Sequence, residues 1–173
     1  HNDGGMAVAN TIMAIEAGAT QVQGTYIGFG ERCGNVNLCS IISNLQLKKK
    51  MVCLPEGKLK ELTPTARYIA EVANVNLNER EPFIGNSAFA HKGGMHIDGV
   101  HKNVMSFEHV DPEKIGNKRR FLMSEVAGRS TILKKIRKVN PAIRKDSEET
   151  RQIIDKLKEL EHQGYQFEGA ESS

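Results

Sequence analysis

The chain has 173 residues, 39% hydrophobic and 26% charged, with a formal net charge of +3 and no tryptophan. No run of about 18 apolar residues occurs, which excludes a membrane-spanning helix, and no export signal is read because the first residues lack a basic n-region and an apolar h-region. Basic runs at 48–50, 118–120 and 134–145 carry no interleaved stacking aromatics, which argues against nucleic acid as a partner.

Asp3 is placed to cap a helix from Met6 to Ala17, with Val8, Ile12, Ile15 and Ala19 on one face and Gly18 as its stop. "TQVQGT" then alternates as a strand would, over Thr20–Thr25, and leads into the glycine-rich loop "GFGERCGN". A helix is predicted from Asn35 to Lys48, with Leu38, Ile41, Ile42 and Leu45 inward. The order loop, helix, strand, loop, helix is the repeating unit of a parallel α/β protein. A parallel strand is normally buried between neighbouring strands, yet this region offers one. The expectation is therefore a fragment: the end of a larger α/β domain whose earlier strands are missing.

After Pro55 the pattern becomes helical. Thr63–Ala73 is predicted as a helix with Pro64 in its first turn and a small-residue face of Ala66, Ile69, Ala70 and Ala73. A long loop follows, then a short helix over 96–103, an N-capped turn at "DPEKIGN" and a short strand in "RRFLMS". A helix starting near Ser130, a break at Pro141 and an amphipathic helix over 147–162, striped with Ile153, Ile154, Leu157 and Leu160, complete the series. Cys33, Cys39 and Cys53 lie six and fourteen residues apart. They fit neither a CxxC zinc pattern nor a disulfide framework, so reduced thiols in a cytoplasm are expected.

Three stretches carry groups capable of chemistry. "HND" at 1–3 offers imidazole, amide and carboxylate just before a helix, where a barrel enzyme places catalytic groups; alternatively Asp3 is only a cap and His1 a solvent-exposed residue. In "GFGERCGN" the P-loop lysine and the GxGxxG spacing are both missing. Three glycines in seven residues still imply close approach of the backbone to something. Asn35 there offers an amide oxygen to a cation, or simply caps the next helix, and Glu31 and Arg32 pair with each other or with neighbouring strands. "AFAHKGGMHIDG" holds His91 and His96 five apart, a poor match to HExxH. It suggests a loop that delivers one imidazole into a pocket as acid or base, or else two surface histidines.

Together these stretches resemble the DRE-TIM metallolyase family of Claisen-condensing enzymes, the 2-isopropylmalate, homocitrate and citramalate synthases. "HND…AVAN" at 1–10, "GFGERCGN" at 28–35 and "AHKGGMH" at 90–96 follow in the family's order. "HVDPEKIGNKRRFLMSEVAGRS" and "LKELEHQGYQFEGAE" look most like the citramalate synthase branch. The resemblance implies a mostly α chain with a small α/β portion: the last βα units of a truncated TIM barrel over 1–50, then helical linker subdomains over 51–173. It gives His1 and Asn35 places in a divalent metal site (zinc, magnesium or manganese), whose other histidine and aspartate ligands this chain lacks. His96 takes the place of the histidine that a partner subunit of a homodimer lends to the barrel mouth, where it acts in deprotonating acetyl-CoA. Glu31 and Arg32 fall in the substrate loop, while His91 and Lys92 match the motif without an assigned role. The implied reaction condenses acetyl-CoA with a 2-oxo acid: pyruvate to (R)-citramalate for isoleucine synthesis, with 2-isopropylmalate or homocitrate synthesis as the alternative. The isolated chain is expected to be inactive, or to serve as a non-catalytic helical dimerisation module.

Overall fold

The computed structural model describes residues 1–91, 99–100, 103, 108–121, 136–137 and 147–165. Outside them lie His96, most of the helix expected over 96–103, the helix start near Ser130, the break at Pro141, the end of the "RRFLMS" strand and the tail after residue 165. The chain divides into two units, residues 1–89 with 110–118 and residues 90–109 with 119–173.

The first unit begins with helix α1, Ala7–Glu16. Gly18 ends it in a left-handed conformation, φ +109°. The Gly18 and Ala19 N–H groups there satisfy the Ile15 and Ala14 carbonyls, at 3.0 and 2.9 Å. Asp3 is not the cap. The Ala7 N–H donates to Asn2 Oδ1 at 3.2 Å, and the Asp3 carboxylate is engaged by Arg32 instead.

The strand expected over Thr20–Thr25 does not form. One parallel bridge, Thr25 with Asn37, is all that pairs there. Alternation states which face a residue prefers, but a strand also needs a neighbour to accept its ladder hydrogen bonds, and the bonds found here join Thr25 to Val36 and Leu38.

Helix α2 spans Leu38–Ser43 and continues as a wider π-type turn over Asn44–Lys48. It starts later than expected because Asn37, not Asn35, is its cap: Asn37 Oδ1 accepts from the Cys39 N–H at 2.9 Å. Two small cores lie on either side of α2. Ile41 and Leu45 pack with Ala7 and Val36 on one side, and Cys39 packs with Leu59, Leu62, Ala66, Phe83, Ile84, Phe89, Val110 and Ile115 on the other. Burial pushes the Cys39 thiol up to about 11, so it behaves as a small apolar group. All three cysteines are free thiols.

Helix α3, Leu62–Val72, carries Pro64 in its first turn, and its Ala66 and Ala70 are fully packed. Asn74 at φ +52° ends it. The expected turn at "DPEKIGN" is a short 3₁₀ helix, Pro112–Ile115. Asp111 caps it and Gly116 closes it in a left-handed conformation. A Cβ on Gly116 would sit 2.0 Å from the Lys60 carbonyl oxygen, so only glycine lets the two segments meet.

The second unit holds two short strands, β1 (Ala90–His91) and β2 (Arg120–Phe121), paired in parallel with Ala90 opposite Arg120 and His91 opposite Phe121. β1 falls where a loop was expected. Helix α4, Glu148–His162, buries Ile154 and Leu157 and leaves Ile153 at the edge of its stripe. Ser147 Oγ accepts from the Thr150 N–H at 3.3 Å, the cap that starts the helix. No helix among the described residues is long and apolar enough to cross a membrane.

Candidate active site

The "HND" and "GFGERCGN" stretches, some thirty residues apart in sequence, lie against each other. The Asn2 N–H donates to the Gly34 carbonyl at 2.9 Å. Beside this bond Arg32 grips the Asp3 carboxylate with Nε (3.3 and 3.2 Å) and Nη2 (2.9 Å). His1 precedes one end of the backbone bond and Asn35 follows the other. His1 is exposed and lines a cavity of about 350 Å³ with Asn10, Thr11, Val22 and Val36; Asn35 does not line that cavity.

The glycines of "GFGERCGN" approach their own loop. The Asn35 N–H donates to the Gly28 carbonyl at 3.0 Å, and the Gly34 N–H to that of Glu31, also at 3.0 Å. A Cβ on Gly34, whose φ is +80°, would stand 2.1 Å from the Gly28 oxygen, and one on Gly30 2.4 Å from Asn35 Nδ2. Ile27 and Arg32 also have positive φ, at +49° and +56°, conformations that cost non-glycine residues free energy and persist only where surroundings enforce them. Asn35 Nδ2 donates to the Phe29 carbonyl at 3.1 Å, which leaves Oδ1 as the acceptor of that amide. Arg32 reaches Glu31 only at 3.8 Å, and its main partner is Asp3.

A neutral imidazole and an amide oxygen on adjoining segments suit a hard or borderline divalent cation, so the donor chemistry of His1 and Asn35 fits part of a metal site. No group of three or more His, Cys, Asp or Glu side chains is gathered for a metal among the described residues.

In the third stretch, His96 lies outside the described residues, while His91 is buried in a cluster that reading along the sequence missed. His91 Nε2 is 2.8 Å from Glu108 Oε1. Arg119 donates to the same carboxylate through Nε to Oε1 and Nη2 to Oε2, both at 2.6 Å. The Glu108 side chain is 1% exposed. Burial alone raises its pKa, but the hydrogen bonds and charges of Arg119 and His91 outweigh that and hold it below the usual carboxylate value. The His91 and Phe121 rings lie 6.0 Å apart. Partners 17 and 11 residues away share no periodicity that would have pointed to them.

Residues 1–69 match the HMGL-like family model, and residues 83–165 match the homocitrate synthase post-HMGL domain-like model. An (R)-citramalate synthase of Synechocystis sp. is 51% identical over 173 residues, which are all of this chain and 32% of that protein. One from Aquifex aeolicus is also 51% identical over all of this chain and 33% of its own length. A probable 2-isopropylmalate synthase of Methanopyrus kandleri is 36% identical over 95% of this chain and 32% of its own. The chain thus spans about a third of the length of the curated relatives it matches. Both paired motif loops lie within the residues that match the HMGL-like model, the second model follows it in succession, and the whole chain is similar to (R)-citramalate synthases.

Proposed function

We propose that these residues are part of an enzyme that condenses acetyl-CoA with a 2-oxo acid, and that the acid is pyruvate, giving (R)-citramalate on the way to isoleucine. The observation that carries this reading is the hydrogen bond from Asn2 to Gly34, which brings the "HND" and "GERCGN" segments together. Citramalate synthases among the relatives at 51% identity favour pyruvate, and the 36% identical probable 2-isopropylmalate synthase keeps 2-oxoisovalerate as the second reading.

His1 Nε2 or Nδ1 and Asn35 Oδ1 would hold a divalent zinc, magnesium or manganese ion, with the remaining ligands from chain beyond these 173 residues. The chemistry such an ion would supply is Lewis-acid polarisation of the keto carbonyl of the 2-oxo acid. The Asn35–Phe29 bond orients the amide before any ligand arrives, so binding costs less ordering. Arg32, held by Asp3, fixes the loop rim next to Glu31, where the substrate would enter. His96 assists removal of a methyl proton from acetyl-CoA, the resulting enolate attacks the keto carbon, and hydrolysis of the thioester releases CoA.

In this reading residues 1–50 are the last βα units of a TIM barrel, and residues 51–173 are helical linker subdomains. Those subdomains carry His96 over the barrel of a second subunit in a homodimer. The 173-residue chain alone is then inactive. The test is CoA release by the full-length protein with pyruvate, 2-oxoisovalerate and 2-oxoglutarate. Preference for pyruvate is expected, and preference for either larger acid overturns the substrate assignment.

A further inference from the structure

The two feet of the "GFGERCGN" loop meet just outside it. The Thr25 N–H donates to the Val36 carbonyl at 3.1 Å, and the Leu38 N–H donates to the Thr25 carbonyl at 2.9 Å. Asn37 stands between those two bonds with 8% of its surface exposed, and both ends of its amide are used. Oδ1 accepts from the Cys39 N–H and starts α2, which leaves Nδ2 as the donor. That donor meets Glu81 Oε1 at 2.8 Å, from 44 residues away. Glu81 in turn sits on a fixed support, the turn over 78–89. There the N–H groups of Glu81, Gly85 and Ser87 bond to the Asn78, Glu81 and Glu79 carbonyls at 3.0, 2.9 and 2.7 Å. A Cβ on Gly85 would stand 2.3 Å from the Glu79 oxygen, so the turn closes only with glycine there. Phe83 within it has φ +70°, a conformation that a bulky residue keeps only where its surroundings over-determine it. Asn117, 3% exposed, is one such constraint. Its Nδ2 donates to the Phe83 and Gly85 carbonyls at 2.8 and 3.0 Å, and its Oδ1 accepts from the Lys118 N–H at 2.8 Å and Arg67 Nη2 at 3.2 Å. The strain is a cost, and the group that this held turn presents to the loop foot is the Glu81 carboxylate.

We propose that Glu81 is a positioning residue for the candidate metal loop: by holding Asn37 it fixes the foot of that loop, and with it Asn35, two residues earlier. It is not a catalytic residue, because its carboxylate acts through the Asn37 amide. Without that bond a buried N–H loses its partner, a cost that Asn37 relieves by leaving its place between the two Thr25 bonds. The proposal rests on the reading in which Asn35 Oδ1 holds a divalent ion, so one arm of its test is independent of metal.

That arm is amide hydrogen exchange in the metal-free full-length protein. Glu81→Ala is expected to speed exchange of the Asn35 and Leu38 N–H groups by about tenfold, the scale of one lost hydrogen bond. Glu81→Gln, whose Oε1 accepts from Asn37 as the carboxylate does, should exchange as the wild type. Unchanged exchange in Glu81→Ala overturns the proposal, and so does an equal rise along α3, which is a general loss of stability. Should Glu81→Ala fail to fold, the pair is reversed. Asn37→Asp still caps α2 but sets a second acceptor against Glu81 and loses the protection, and adding Glu81→Gln restores it by donating the other way. A double variant that restores nothing overturns the proposal.

The second arm is calorimetric binding of manganese(II) to the full-length protein. Groups that support a metal's ligands contribute about 10–100-fold in affinity, so Glu81→Ala should bind the ion about tenfold more weakly and Glu81→Gln as the wild type does. Wild-type affinity in Glu81→Ala overturns the proposal. Equal losses in both variants overturn it too, because the charge and not the bond to Asn37 then acts. Asn35→Ala tests the underlying reading separately: if it binds manganese(II) as the wild type does, Asn35 is not a ligand and the metal role falls with it, while the exchange arm decides whether Glu81 holds the loop.

Discussion

Asp3–Arg32 and Glu108–Arg119 are the same two functional groups in opposite surroundings. The first pair is half exposed on both sides, 53% and 54%; in the second the carboxylate keeps 1% of its surface and the guanidinium 25%. An exposed pair contributes at most about 1 kcal/mol. The closeness of the two motif loops therefore rests mainly on backbone, on the Asn2–Gly34 bond and on the glycines that let "GFGERCGN" fold against itself. At β1 and β2 the division is reversed. Four residues of strand supply little, and the side chains of a buried ionic cluster supply the definition.

The largest expected effect tests the buried side. Arg119→Met leaves Glu108 buried with half its partners, and loss of one member of a buried pair costs about 3–5 kcal/mol; denaturant unfolding of the chain measures it. A loss under about 1 kcal/mol would mean that the pair is as dispensable as an exposed one. Next comes the backbone side. Gly34→Ala puts a Cβ against the Gly28 oxygen at a positive φ, a strain of about 1–3 kcal/mol. It should lower the melting temperature and weaken divalent metal binding by the full-length protein in calorimetry; unchanged values would show that the loop does not depend on glycine there.

Acid titration sharpens the contrast. The Glu108 carboxyl is held below its ordinary value of 4.5, so the folded state binds this proton less readily than the unfolded one. Its stabilising contribution is present above pH 4.5 and disappears as pH falls through the lower, folded value. Unfolding followed between neutral and low pH should show this loss in the wild type and not in Glu108→Gln; parallel curves would contradict it. The smallest effect belongs to Asp3→Asn, with less than about 1 kcal/mol of stability lost and partial screening of that loss by salt. A larger loss would make the surface ion pair, not the backbone, the clamp between the loops.

Elements specified by neighbouring residues were legible from sequence. Gly18 and the Asp111–Gly116 turn needed only local backbone chemistry, and α3 announced itself through Pro64 and the spacing of Ala66 and Ala70. Features settled by distant partners were not. Asp3 has the chemistry of a cap, but Arg32, 29 residues on, takes it. Thr20–Thr25 has the alternation of a strand without the neighbour. His91 read as one of two loop histidines, either delivering an imidazole into a pocket or lying on the surface, because nothing near it in sequence shows that Glu108 and Arg119 converge on it. The motifs of the candidate site were readable as residue types in order. That their glycines accommodate the loop's own backbone and the Asn35 amide, rather than an outside group, required coordinates.

The most direct test of the account is CoA release from acetyl-CoA and pyruvate by the full-length protein with and without His96→Ala. The account predicts a rate lower by about 10²–10⁴-fold, the scale of a lost acid–base group, with metal content and fold unchanged. An unchanged rate in that variant would contradict it.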